Sequence, residues 1–173
     1  QGRNFANKLW NVYRLVSAWE VVDFEQPHSA NLAINWFESK LNKTLLDIND
    51  AFDKFRISDA LMLTYKLIWD DFCSWYLEII KPGYEQPIDR LSKEITISFF
   101  EKLLILVHPF APFITEELWH LIGNDKKGND IIVASWPKAG KIDDVLLLNF
   151  NQCEEVVSNI RNIRKQQNIA NKV

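Results

Sequence analysis

The stretch INWFESKLNKTLLDINDAFDKF, residues 34–55, decides the fold class of this 173-residue chain. Its apolar residues recur at steps of three and four: Ile34, Phe37, Leu41, Leu45, Ile48, Phe52 and Phe55. That spacing puts them on one face of an α-helix, whose period is 3.6 residues, and excludes a strand, whose period is two. The stretch therefore predicts a long helix with one face in a core, and Ser29 is its predicted N-cap.

Segments on both sides of this stretch have the same period. The first helix is predicted to run to about Val22, with a break at Pro27. Its apolar stripe consists of Phe5, Leu9, Val12, Val16 and Trp19. A third helix is predicted from about Ile57 to Lys81, capped by Ser58 or Asp59. Its inward residues are predicted to be Leu61, Tyr65, Ile68, Phe72, Tyr76 and Ile79. A fourth follows Pro87 and has the stripe Leu91, Ile95, Phe99, Leu103 and Leu106.

Shorter elements are predicted after His108-Pro109. Residues 112–122 predict a short helix closed by Gly123, with Glu116 and Glu117 in its first turn, where the helix dipole favours acids. Residues 131–133 predict an extended run, and a last helix is predicted from near Asp143. The fold class is therefore all-α, an antiparallel bundle of four long helices with a smaller helical appendage. We expect the bundle to occupy residues 1–122 and the extended segment with the last helix residues 123–173.

Composition places the chain among ordinary soluble globular proteins, since 47% of its residues are apolar and 25% are charged. It has no apolar run of the ~20 residues that span a bilayer and no secretory signal, so we expect no membrane partner. Two cysteines, Cys73 and Cys153, suit a reducing compartment, so the expected location is cytoplasmic. Because the chain begins with Gln, we expect it to be part of a longer protein.

Residue patterns typical of catalytic sites are absent from the sequence. Its five glycines are too dispersed for a phosphate-binding loop, and its three histidines lie beside no cysteine pair, so we expect no metal and no cofactor in this chain. Neighbouring helical residues point about 100° apart, which argues against acid–base roles for Glu116-Glu117 and Asp70-Asp71. We interpret Asp70-Asp71 as a solvated surface and Cys73 as a small buried thiol. The chain itself is predicted to have no catalytic residue.

Charge is segregated along the chain, although the net charge is only −3. Residues 1–19 carry +3 and residues 156–173 carry +4, neither with any acid, so the 136 residues between them carry −10. The cations of the second stretch are Arg161, Arg164, Lys165 and Lys172. An acidic body with basic ends can still attract a polyanion at those ends.

The polar side of the first helix is unusual because it combines amides and cations. It consists of Asn4, Asn7, Lys8, Asn11 and Arg14. Asn is a poor helix former, so it is not the usual filler of a solvated face. Amides can bind base edges, cations can bind phosphates, and Leu15 can lie against an unstacked base. The alternative is a merely exposed face, and the pattern does not decide between the two.

Two further features have alternative interpretations. The basic stretch around residues 160–167 either follows phosphates or pairs through Ile160 and Ile163 with a missing partner segment, and we favour the pairing. The seven tryptophans can stack on bases, but most lie on or beside an inward stripe, so core packing is the default prediction for the majority.

Several strings resemble one family, in the same order as in that family. GRNFANKLWNVYR (residues 2–14) and W-x-x-FC-x-WYLE-x-x-KP (residues 69–82) resemble the anticodon-binding helical domain of bacterial valyl-tRNA synthetases. HPFAPFITEELWH (residues 108–120), ASWP (134–137) and IRNIR (160–164) continue the resemblance. The HPFxPFxTEELW string is shared with the isoleucyl and leucyl enzymes, so an anticodon-binding domain of either relative is the alternative, as is a purely structural interdomain module.

The resemblance implies a chain that reads a tRNA anticodon within an enzyme that joins valine to its tRNA. The catalytic and editing domains would precede Gln1, and a small domain and a coiled coil would follow Val173. ATP and Mg²⁺ would act in that missing catalytic domain. The implied partners are valine tRNAs and the enzyme's own catalytic domain, with no DNA partner.

The resemblance also assigns roles to particular residues. Lys8, Asn11 and Arg14 match positions with which the family contacts the anticodon loop. Leu15 follows Arg14, where the family often has an aromatic residue that stacks on a base. The remaining candidates for tRNA contact are Asn4 and Asn7, and, for its backbone, Arg3, Arg161, Arg164 and Lys165.

Overall fold

The computed structural model of the chain describes residues 2–123 and 130–169, and most of them are helical. In chain order the elements are α1 (Gly2–Ser17), β1 (Val21–Val22), α2 (His28–Asp53), α3 (Ile57–Lys66), π-helical turns (Leu67–Tyr76), α4 (Leu77–Ile80), β2 (Ile88–Asp89), α5 (Arg90–Val107), α6 (Pro112–Ile122), a 3₁₀ turn (Ile131–Val133) and α7 (Asp144–Gln166). This confirms the all-α prediction. None of the described helices is both long and apolar enough to cross a bilayer.

The core forms where α2, the π-helical turns and α5 meet. Rings of Phe37, Phe72, Tyr76 and Phe99 lie with centroids 5.0–5.5 Å apart, and the Tyr76 hydroxyl is 2.7 Å from the Thr96 hydroxyl. The predicted α2 stripe is confirmed from Ile34 to Ile48, where all five of its residues are buried. It fails at Phe55, which lies beyond the end of α2 and is 88% exposed.

The third predicted helix is continuous in the chain but not purely α-helical. Its buried stripe advances in steps of four: Ala60, Thr64, Ile68, Phe72, Tyr76 and Ile80. On an ideal α-helix each step of four turns the side chain by about 40°, so the stripe would leave the core. The wider π-helical turns, with i→i+5 hydrogen bonds, correct that drift. The predictions for Leu61 and Ile79 are therefore wrong, since both are exposed.

The end of α1 also differs from the prediction, because the helix stops at Ser17 rather than about Val22. The β-branched pair Val21–Val22 instead forms a short parallel ladder with Ile88–Asp89. The amide of Ile88 donates to the carbonyl of Glu20 at 2.9 Å. Trp19 is buried as predicted.

The predicted helix caps are partly wrong. Ser29, Ser58 and Asp59 all lie inside their helices, and the N-caps are Pro27 for α2 and Arg56 for α3. In α5 the carboxylate of Asp89 caps the helix by accepting the amide of Ser92 at 2.8 Å. The predicted α5 stripe begins too early, since Leu91 is exposed.

The appendage follows the prediction for α6, with Gly123 as its C-cap, and for α7, which starts after Asp143. Residues 131–133 form a 3₁₀ turn rather than an extended run. Glu116 and Glu117 lie beyond the first turn of α6, so the dipole explanation for them is wrong. The boundary at residue 122 stays a prediction.

Polar side chains of α2 hold the segment that leads into α7. The Trp136 indole donates to Asn49 Oδ1 at 2.9 Å, the Asn42 amide donates to the Lys141 carbonyl at 2.9 Å, and the Asp143 amide donates to Ser39 Oγ at 3.2 Å. These bonds explain why α2 buries Ser39 and Asn42, since buried polar groups need partners. The Phe150 ring of α7 stacks on Trp36 at 3.8 Å.

Candidate nucleic-acid interface

Helix α1 is anchored through its apolar side. Leu9, Val12 and Val16 are buried, and the helix packs against α5, α6 and the π-helical turns. The ring of Phe5 lies 5.2 Å from that of Tyr65. The rotation of α1 about its axis is therefore fixed, and so is the direction in which its polar side chains point.

The opposite side of α1 faces solvent. The predicted residues that are exposed there are Arg3, Asn4, Asn7, Asn11, Arg14 and Leu15. Arg14 lies in the last turn, where a cation is favoured by the helix dipole. The structure thus leaves most of the predicted polar face accessible to a partner.

Lys8 is placed differently from the other predicted residues, because it is half-buried. Its Nζ lies 5.2 Å from the centroid of the Trp69 ring, and Trp69 stacks on Tyr65 with centroids 5.5 Å apart. A cation over an indole face is attracted by the ring quadrupole. The ammonium group of Lys8 therefore lies over Trp69, beside the polar face of α1 and not at its centre.

The charge that α1 itself carries is positive. Residues 1–19 contain no acid, and among the ion pairs within residues 2–123 and 130–169 none involves Arg3, Lys8 or Arg14. Burial raises the pKa of the Cys73 thiol to about 12, and the nearby Lys8 charge opposes that shift. The arrangement offers amide groups and unneutralised cations to an anionic partner.

Residues 35–173 match the family model described as the anticodon-binding domain of tRNA ligase. The chain belongs to this family. The match confirms the resemblance predicted from the sequence strings. Helix α1 precedes the matched residues, and the relatives that align with nearly the whole chain include it.

Those relatives carry one name. The valine–tRNA ligase of Parabacteroides distasonis is 50% identical over 173 residues, covering 99% of this chain and 20% of the relative. The Phocaeicola vulgatus enzyme of the same name is 52% identical over 172 residues, covering 99% and 20%. That of Rhizobium meliloti is 34% identical over 175 residues, covering 96% and 18%. The chain of this anticodon-binding domain therefore spans about one fifth of the length of these relatives.

The second basic stretch lies at the end of α7. Arg161 and Lys165 are exposed and Arg164 is half-buried. The Arg161 guanidinium lies 5.4 Å from the centroid of Trp75, while Ile160 and Ile163 beside it are exposed. The two basic stretches thus contact different tryptophans of one helical segment, Lys8 contacting Trp69 and Arg161 contacting Trp75. Both interpretations of the α7 stretch stay predictions.

The tryptophans follow the prediction that the majority of them pack in the core. Trp19, Trp36 and Trp119 are buried, and Trp69, Trp75 and Trp136 are half-buried. Trp10 on α1 is 37% exposed. The prediction covered only the majority of the seven tryptophans and did not say which of them would lie outside the core.

Two acidic residues are placed differently from the sequence prediction. Asp71 is not a solvated surface residue: it is half-buried, 3.3 Å from the Lys40 ammonium, and burial raises its pKa. Glu116 pairs with His120, whose Nε2 lies 3.0 Å from Glu116 Oε1 and 3.4 Å from Asp130 Oδ1.

The three side chains of Glu116, His120 and Asp130 have the donor types of a metal site, with ligand atoms within 4.8 Å of one another. Sequence reasoning missed this group because it compared histidines only with cysteines, although the Glu–His spacing of four was visible. Glu116 Oε1 also accepts the Ile131 amide at 3.1 Å. The three groups therefore satisfy one another, and we assign them a role in joining α6 to the 3₁₀ turn.

Proposed function

We propose that the exposed side of α1 binds the anticodon loop of valine tRNA. In this proposal the whole protein joins valine to that tRNA in the cytoplasm, with ATP and Mg²⁺ acting in the part of the enzyme outside this chain. The names of the aligned relatives support the choice of valine. The alternative is a domain that only docks other domains, with the amide-rich face as a contact between domains.

One observation carries the proposal: an anchored helix presents an exposed face without carboxylates. Anticodon loops are single-stranded, so their bases can be splayed out and read on edges that a duplex would hide. Side-chain amides form hydrogen bonds with such edges. Cations neutralise the phosphates between them and contribute a salt-dependent share of the affinity.

The residues divide into two groups by their chemistry. Asn4, Asn7 and Asn11 are proposed to contact base edges, and Leu15 to cover the face of a base. Lys8 and Arg14 are proposed to contact loop phosphates. Contacts with the tRNA backbone elsewhere are proposed for Arg3, Arg161, Arg164 and Lys165.

The test compares valine tRNA with the same transcript carrying a swapped anticodon. Lys8→Ala is expected to weaken binding of both transcripts and to reduce the slope of log affinity against log salt by about 0.7, the value for one contact to a single strand. Asn11→Ala is expected to reduce the preference for the valine anticodon by about 1–3 kcal/mol, because a base edge loses a paired amide. Affinity is measured by titration at two or more salt concentrations.

Matched controls come from other helices. Lys66→Ala on α3 and Asn35→Ala on α2 remove the same groups from exposed positions, and both are expected to bind like the parent chain. If the isolated chain binds too weakly for titration, the same variants are compared in the whole enzyme, where linked domains add avidity. Parent-like behaviour of both α1 variants would exclude this face as the anticodon site.

A further inference from the structure

The exposed side of α1 contains an indole. Trp10 is 37% exposed, the largest exposed fraction among the tryptophans of the described residues. The ring contact described for it is with Tyr13, at 5.9 Å between centroids and a tilt of 58°. Because the two rings are tilted rather than stacked and Trp10 is exposed, part of the indole face is open to solvent.

Trp10 belongs to a regular stripe with charged and amide neighbours. Arg3, Asn7, Trp10 and Arg14 follow at steps of four, three and four, and all are exposed. At 100° per residue they lie within about 60° of one another, on the side opposite the buried Leu9, Val12 and Val16. The stripe thus places one aromatic ring between two arginines along the most outward line of α1.

We propose that Trp10 is a base-stacking residue of this surface. One unpaired base of an RNA loop lies on the open face of the Trp10 indole. Arg14, one turn further along, and Arg3, two turns back, contact the phosphates that flank this base. The proposal rests on the proposed function, since it assumes that α1 meets the anticodon loop.

Physical chemistry favours an aromatic residue for this role. Every base has a π-face, and stacking on an aromatic side chain contributes about 1–3 kcal/mol per base. Leu15, also exposed on α1, has no π-face and offers only apolar contact. A position that served solubility alone would favour Glu or Lys, which are better helix formers and leave no apolar surface in water.

The test is a double-mutant cycle between the protein and the RNA. A series of valine tRNA transcripts each carries one abasic nucleotide in the anticodon loop. Trp10→Leu keeps an apolar side chain next to Tyr13, so the helix is expected to stay folded, as circular dichroism would verify. Trp10→Leu is expected to weaken binding of the intact transcript about 5- to 150-fold, the stacking range converted to affinity.

The cycle identifies the base concerned. At one loop position the abasic transcript is expected to bind the parent chain about as weakly as the intact transcript binds Trp10→Leu, with no further loss when both changes are combined. Trp10→Phe is expected to restore most of the affinity. Phe113→Leu serves as the matched control, because Phe113 is a 92% exposed aromatic residue on α6, and it is expected to change nothing.

The outcomes separate this inference from the proposed function. Parent-like binding by Trp10→Leu, or an equal loss with every abasic transcript, overturns the stacking role. If Lys8→Ala and Asn11→Ala still show their effects in that case, the α1 surface remains the anticodon site. If all three variants bind like the parent, both proposals are wrong.

Discussion

The two basic helices of this chain differ in how they are anchored. Residues 1–19 and 156–173 carry similar surpluses of positive charge. Helix α1 buries Leu9, Val12 and Val16, whereas α7 buries only Leu147 among its described residues. The second half of α7 leaves Val156, Ile160 and Ile163 exposed.

This difference shows that positive charge alone does not define an interface. A face that reads base edges needs side chains held in fixed directions by a packed helix, as in α1. A helix with loose packing can still supply cations, because attraction to phosphates depends little on direction. We therefore expect base discrimination to depend on α1, with α7 contributing at most to general affinity.

The largest expected effect concerns the anchoring itself. Leu9→Ala removes a fully buried side chain and is expected to lower the free energy of unfolding by about 2–5 kcal/mol, through lost burial and a residual cavity. Leu148→Ala on α7 removes a 59% exposed side chain. It is expected to change the free energy of unfolding by less than about 0.5 kcal/mol. Urea unfolding measures both. Equal losses would mean that the two helices are anchored alike.

A smaller effect concerns the charges. Arg14→Ala is expected to reduce the salt slope of tRNA binding by about 0.7 and to lower affinity for every anticodon. Arg161→Ala is the matched change on α7, at an arginine that lies over Trp75. A slope unchanged from the parent would assign Arg161 to packing, and a drop equal to that of Arg14→Ala would extend the interface to α7.

The smallest expected effect is a pH dependence where α7 meets the bundle. Burial raises the pKa of Glu154, the Asp71 carboxylate adds to the shift, and Lys40 opposes it. A carboxyl with a higher pKa in the folded chain favours folding when protonated, so that stability is lost as pH rises through the folded-state pKa.

Glu154→Gln resembles the protonated form at every pH. It is therefore expected to raise the free energy of unfolding at pH 7 by less than about 1 kcal/mol, since the site is partly exposed, and to leave it unchanged near pH 4. Glu155→Gln changes an exposed neighbour and serves as the control. Urea unfolding at the two pH values measures the difference. A gain from Glu154→Gln that is the same at both values contradicts this assignment.

The sequence predicted the long helices well where one periodicity ran unbroken, as from Ile34 to Ile48. It failed where the deciding contact was distant. No residue near Val22 indicates that Val21 and Val22 pair with the distant Ile88–Asp89 and that α1 therefore ends early. The steps of four from Ala60 to Ile80 are visible in the sequence. The predicted stripe differed from them because it was drawn for a helix with a constant 3.6 residues per turn.

Only part of the candidate site was predicted from the sequence, because the rest again depends on contacts between distant residues. Helical angles sufficed to place Asn7, Asn11 and Arg14 on one exposed face. They could not show that Lys8 would rest on Trp69, because that contact joins residues 61 positions apart in the sequence. Nor could composition separate Trp10 from the core tryptophans, since indoles fill cores and bind bases equally well.

The π-helical turns at residues 67–76 also have a consequence for tolerance to length change. A turn closed by i→i+5 hydrogen bonds holds one residue more than a turn closed by i→i+4 bonds, so this segment can absorb the loss of one residue by converting one π-helical turn to an α-helical turn. The two flanking halves would then keep nearly the same phase, and Thr64 and Ile80 would both still face the core. We therefore expect this segment to tolerate a one-residue deletion better than α2, where the same deletion would turn the following residues by about 100°.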